Sequence, residues 1–309
     1  MREVLAPMVV AFFGAVVFAQ TPAPTTQSAP PSPPPTTVEE PIELDTVMME
    51  STFMIEGPAP GGGNSMGTVF IIARPRPNTS PMQAFAVLVT AAHVLEGIQG
   101  DFATLHLRQR VDAKTNQWVQ TPFQLPIRSN NQPLWVRNPD ADVAAMNVAL
   151  PHISMTQIKP ITPLMFVDDE KLLEYKINPG DEVRCLGYPL GAQSNEAGFP
   201  ILRSGKIASY PLTPTIKTKS FLVDLRIFKG NSGGPVFVVE NNRPVPGTIS
   251  GYQNLHFIIG LVSEEKLFNE TAIGPYSQEL HQTQLGLAVV VHANLIMQTI
   301  DSLPFPPAQ

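Results

Sequence analysis

The chain has 309 residues, with 20 Lys and Arg against 26 Asp and Glu and a net charge of −6. No basic stripe accompanies that balance, which argues against a nucleic-acid partner. Cys185 is the single cysteine, so an intramolecular disulfide is excluded, and a chain that is 43% hydrophobic must hold together by core packing alone.

The first element in chain order is an N-terminal targeting segment. Arg2 gives a weakly positive start softened by Glu3, Leu5 to Ala19 is apolar but short for a membrane span, and Ala19 offers a cleavage point. Residues 1–19 therefore read as a signal peptide, with an uncleaved membrane anchor as the alternative. Membrane contact is expected only in that second case. What remains would be secreted, or periplasmic and cell-envelope located. Thr21 to Glu40 is dominated by Pro, Thr and Ser and cannot bury a core, so residues 20–44 read as a disordered linker.

From Asp45 onward, short apolar runs alternate with Gly, Pro, Asn and Asp. Strands are predicted over Gly67 to Ile72, Ala84 to Val89, Ala103 to Leu107, Phe221 to Val223, Val236 to Val239 and Phe257 to Ile259. The chain's 33 prolines, many lying between these runs, argue against long helices. One helix is predicted near the C terminus, about residues 293–301, where Leu295, Ile296, Ile300 and Leu303 recur at helical spacing. Asp168-Asp169-Glu170-Lys171 is a polar run between apolar segments.

Three segments carry chemistry. Gly230-Asn231-Ser232-Gly233-Gly234-Pro235 is a small-residue turn with one hydroxyl at its centre. Glycine on either side permits turn angles that aim successive N–H groups into one concavity, so a nucleophile and an oxyanion site can share a few residues. Serine is a poor nucleophile near neutral pH and needs a base with an orienting acid. Thr90-Ala91-Ala92-His93 supplies a histidine just after an apolar strand, and Asp142-Val143-Ala144 an aspartate where another apolar segment begins. Asp140 competes with Asp142 from two residues away, but Val143-Ala144-Ala145 follows Asp142 directly. His106, His152, His256, His281 and His292 have no comparable context and read as structural or surface residues. One cysteine and scattered histidines offer no zinc-ligand spacing, so no metal and no cofactor are expected.

These three blocks, in the chain order His93, Asp142, Ser232, resemble those of the trypsin-like serine peptidases, and the cysteine-free Gly-Asn-Ser form resembles most the bacterial HtrA/Deg-like catalytic domain. Gly67 to Ile72, Pro179 to Pro189, Arg203 to Ile207, Gly260 to Ser263 and Gly286 to Val290 resemble further family blocks, so the likeness runs over about residues 47–303. It implies an all-β fold of two six-stranded antiparallel β-barrels with the active site in the cleft between them. The peptidase domain would span 45–303, with a first barrel over about 45–160, a second over about 172–292, and a closing helix; no PDZ-like module is expected. The implied activity is an exported serine endopeptidase that hydrolyses protein or peptide substrates through an acyl-enzyme. Ser232 would be the nucleophile, His93 the base and Asp142 its orienting acid, with Ser263 hydrogen-bonded behind Asp142. Gly230, Asn231 and Ser232 would form the oxyanion hole.

Arg226, Ser263 and Glu264 would contact substrate. An inward Arg226 would favour acidic residues before the scissile bond, with Glu264 and Glu265 able to neutralise it or to favour basic ones. An outward Arg226 would leave a small apolar pocket. Lys229 stands where the family often has proline, which implies a loop mobile until substrate binds. A catalytically silent peptide-binding module is the alternative reading.

Overall fold

The computed structural model describes residues 43–78, 84–112, 114–151, 161–245, 251–273 and 278–306. The signal segment lies outside the described residues, as do His152 and nearly all of the linker. Leu44, read as the linker's last residue, instead opens helix α1 (Leu44–Ser51) and is buried with Val47 and Met48, because an apolar stripe of one helical turn packs onto the core.

Fifteen strands among the described residues make this an all-β chain. β1 (Thr52–Pro58), β2 (Asn64–Pro75), β3 (Ala84–Thr90), β4 (Phe102–Asp112), β5 (Gln117–Pro126), β8 (Val136–Arg137) and β9 (Ala144–Asn147) form an antiparallel sheet in the order β5-β4-β1-β2-β3-β9-β8. β6 (Arg128–Ser129) and β7 (Gln132–Pro133) pair only with each other. β10 (Glu182–Gly187), β11 (Ile201–Ile207), β12 (Ser220–Asp224), β13 (Pro235–Pro244), β14 (Tyr252–Ile273) and β15 (Gln278–His292) close into a barrel in the order β10-β11-β12-β15-β14-β13.

The second half is thus a closed six-stranded antiparallel barrel. The first half differs from it in detail: its main sheet has seven strands with β5 and β8 at the ends of the order, and β6 and β7 form a separate pair.

Burial explains the strand pattern. Along β4, Ala103, Leu105 and Leu107 are buried while Phe102 is exposed, the period-2 alternation of a strand with one face inward. The unbroken apolar run Val87-Leu88-Val89 of β3 is buried on both faces. The C-terminal helix covers Ala293–Asp301 and buries Leu295, Ile296 and Ile300. It also accepts hydrogen bonds from Asn138 Nδ2 at the Leu295 carbonyl (3.2 Å) and Thr299 Oγ1 (3.0 Å). That pair of bonds ties the end of the chain to the loop that leads to Asp142.

Candidate active site

His93 stands in the first turn of helix α2 (Ala92–Glu96), immediately after β3. Ala91, Ala92, Val94 and Leu95 are all buried, so the one polar side chain of this turn is directed outward, and its imidazole is 48% exposed. Asp142 ends a loop pinned at several points. Asn138 N–H donates to the Val143 carbonyl (2.9 Å), and Asp140 N–H donates to Asn138 Oδ1 (2.9 Å).

The loop delivers the Asp142 carboxylate to three donors. His93 N–H reaches Oδ1 at 3.0 Å, His93 Nδ1 lies 2.7 Å from Oδ2, and Ser263 Oγ donates to Oδ2 at 2.6 Å. Asp140 turns to the surface and pairs with Lys219 at 2.8 Å.

The electrostatics follow from this contact. Burial opposes ionisation of Asp142, yet the hydrogen bonds from His93 and Ser263 outweigh it and hold the carboxyl at about 2. The same hydrogen bond lifts His93 above its ordinary 6.5, against desolvation, with further help from the Asp142, Glu264 and Glu96 charges. An ionised carboxylate only accepts, so Nδ1 carries the proton of a neutral ring and Nε2 is left as an acceptor.

The turn around Ser232 is built almost wholly from backbone. Asn231 N–H donates to the Phe228 carbonyl (2.9 Å), and Phe228 N–H donates back to Asn231 Oδ1 (3.0 Å). Leu190 N–H donates to the Lys229 carbonyl (2.7 Å). Because the peptide unit is planar and trans, its N–H points opposite to its C=O. Fixing the Lys229 carbonyl therefore turns the Gly230 N–H the other way. Gly230 has φ +98°, and a Cβ there would sit 2.2 Å from the Tyr188 carbonyl, so only glycine fits. From the first half of the chain, Thr68 N–H donates to the Ser232 carbonyl (2.8 Å) and Thr68 Oγ1 to the Gly230 carbonyl (2.7 Å).

A cleft of about 620 Å³ brings the two walls together, with His93 and Asp142 on one side and Ser232, Ser263, Glu264 and Lys229 on the other. Among the described residues the Ser232 hydroxyl makes no hydrogen bond.

Two sequence expectations change. The Asn231 N–H is consumed by the Phe228 carbonyl, so of the three residues assigned to the oxyanion hole only Gly230 and Ser232 have amides without a partner among the described residues. Arg226 does not line the cleft. It is exposed, donates to Gln284 Oε1 (3.1 Å) and stacks over Phe228. The Lys229 carbonyl is the one that Leu190 holds, a backbone bond that the residue type at 229 does not decide. Sequence reasoning missed Arg137 and Gln284, which line the cleft, and the bracing role of Thr68. Thr68 did leave a trace, as the one hydroxyl in the apolar run from Gly67 to Ile72.

Residues 67–245 match the family model described as the trypsin-like peptidase domain. The chain belongs to that family. This trypsin-like peptidase is a serine endopeptidase acting on peptide substrates.

Similar solved structures include a protease of M. tuberculosis in its active form, 20% identical over 95% of this chain and 97% of that one, with a TM-score of 0.44. The protease Anisep from Arthrobacter nicotinovorans is 14% identical over 83% and 96%, also at 0.44. A thermostable serine protease from an extremophilic microorganism is 10% identical over 82% and 99%, at 0.44. A search of curated proteins gives no match.

Proposed function

We propose that this trypsin-like peptidase is an exported endopeptidase that cleaves peptide bonds through a Ser232–His93–Asp142 triad and an acyl-enzyme. The observation that carries this reading is the triple anchoring of Asp142, which fixes the His93 ring with its free Nε2 in the cleft that also holds Ser232.

In the first step Ser232 Oγ attacks the substrate carbonyl while His93 Nε2 takes its proton. Asp142 stabilises the imidazolium. The Gly230 and Ser232 N–H groups receive the developing oxyanion. His93 then hands the proton to the leaving amine as the C–N bond breaks, leaving an ester on Ser232. A water deprotonated by His93 cleaves that ester and restores the hydroxyl. Ser263 and Glu264, along the cleft wall, would contact the substrate chain.

A fluorophosphonate should modify the protein stoichiometrically at Ser232, with labelling lost in Ser232→Ala and much reduced in His93→Ala. Folded protein that resists labelling would overturn the triad. For export, expression of the full chain should give a mature N terminus just after Ala19. An intact Met1 retained with membranes would replace the cleaved signal by an anchor.

A further inference from the structure

Arg108, in the middle of β4, is 1% exposed and has no carboxylate partner among the described residues. Its two terminal nitrogens donate to neutral oxygens alone, and its buried Nε has no hydrogen-bond partner among the described residues. Nη1 donates to the Tyr188 hydroxyl (3.0 Å) and the Gly198 carbonyl (2.9 Å). Nη2 donates to the carbonyls of Met49 (2.9 Å), Glu50 (3.1 Å) and Thr52 (2.7 Å). The rings of Phe53 and Phe199 lie against it, 4.4 and 4.3 Å from Cζ. Burying a cation without an anion is costly, and the acceptors around Nη1 and Nη2 offset part of that cost. What the arrangement achieves is geometric: one rigid fork ties the chain leaving α1 to Tyr188 and to the loop that follows it.

Tyr188 adjoins the turn that Ser232 occupies. Its hydroxyl also donates to the Thr52 or Gly198 carbonyl (3.2 and 3.0 Å), and its ring is fully buried. Its backbone N–H donates to Thr68 Oγ1 (3.3 Å), the same hydroxyl that holds the Gly230 carbonyl. Its carbonyl accepts from Gly191 N–H (3.0 Å), shaping the turn from which Leu190 N–H reaches the Lys229 carbonyl. That last bond decides which way the Gly230 N–H points.

We propose that Tyr188, clamped by Arg108 onto the Met49–Thr52 backbone, is a positioning residue for the oxyanion-binding amides, so that the junction of α1 and β1 sets the orientation of the Gly230 N–H. The inference rests on the triad reading above. Tyr188→Phe deletes one oxygen and keeps the ring, so the clamp loses its grip while the core stays filled. Loss of a whole oxyanion donor lowers kcat by roughly 10²–10³. A donor that is present but less well aimed should cost about tenfold in kcat, with KM close to wild type, which is the signature of an interaction made only in the transition state.

The test measures kcat and KM for a peptide substrate, affinity for a peptide aldehyde that forms an oxyanion on Ser232, and wild-type labelling by fluorophosphonate. Tyr188→Phe should lose kcat and aldehyde affinity by the same factor. Arg108→Lys, which keeps the charge but not the fork, should show the same split and serves where Tyr188→Phe does not fold. A labelled wild type beside a folded variant with lowered melting temperature but unchanged kcat and aldehyde affinity would overturn this inference alone. An unlabelled wild type would overturn the triad and this inference with it.

Discussion

On the first wall of the cleft, Asp142 and His93 are held by bonds to side-chain atoms, each removable by changing one residue. On the second wall, the peptide planes around Ser232 are held largely by backbone groups of Phe228, Leu190 and Thr68, which a side-chain substitution reaches only indirectly. The first wall is prepared electrostatically, with Asp142 at about 2 and His93 raised. The second is prepared sterically, through glycines whose missing Cβ atoms make room for neighbouring carbonyls. Charge changes should therefore damage one wall and added bulk the other.

The largest expected effect on that contrast comes from Asp142→Asn. It should lower kcat by about 10⁴ with the fold intact, because the amide holds the wrong imidazole tautomer. The pH profile gives a second readout. In the proposed triad the working base is neutral His93, and its raised value places the acid limb of kcat/KM above 6.5. Removing the carboxylate removes what raises it, so the limb should move to lower pH. A limb that stays put would show that Asp142 does not set the base.

Gly230→Ala should lower kcat by roughly 10²–10³ as the Tyr188 contact forces the turn to shift. Its acid limb should not move, since nothing on the His93 wall has changed. A shifted limb would break the separation of the two walls.

Ser263→Ala should cost only about threefold to tenfold in kcat/KM, as Asp142 keeps its two bonds from His93. Losing one donor leaves the carboxylate more basic, so the acid limb should rise, opposite to Asp142→Asn. Limbs moving the same way in both variants would contradict the assigned role of Ser263.

The smallest chemical effect is expected from His292. This residue is 1% exposed, and burial pushes its imidazole down to about 4, against a small opposing pull from Asp169. A depressed value means that its stabilisation is complete above 6.5 and fades as pH falls toward 4. Between pH 6.5 and 5 the wild type should lose about 2 kcal/mol through this group. His93 runs the other way, contributing stability below 6.5 that is lost as pH rises through its folded value. Urea unfolding at both pH values, compared with His292→Gln, checks this; equal losses in the two proteins would remove His292 as the cause.

How much of this was legible in the sequence depended on where the cause lies. The glycines around Ser232 and the apolar lead-in to His93 are local signals, and the strands they punctuate were readable for the same reason. The consumed Asn231 amide was not, because a turn bond to the Phe228 carbonyl leaves no mark on residue type. Arg226 was ambiguous for a related reason: it lies in the loop just past β12, where no alternation fixes its direction, and it is the tertiary partner Gln284 that shows which way it turns. Arg108 was hidden most deeply. Nothing near it in the chain hints that carbonyls more than fifty residues upstream will gather around its guanidinium. The 22-residue length of β14 was equally hidden, since its pairing with β15 continues past the apolar run at Phe257 to Ile259.

Thr68 belongs to the half of the chain that carries His93, yet its N–H secures the carbonyl of Ser232 in the other half. Neither half is thus self-sufficient in shaping the alcohol's surroundings. If the polypeptide were severed between β9 and β10, each fragment would be inert by itself. Hydrolysis recovered upon mixing would then scale with the product of the two fragment concentrations, a kinetic order that reports reassembly directly.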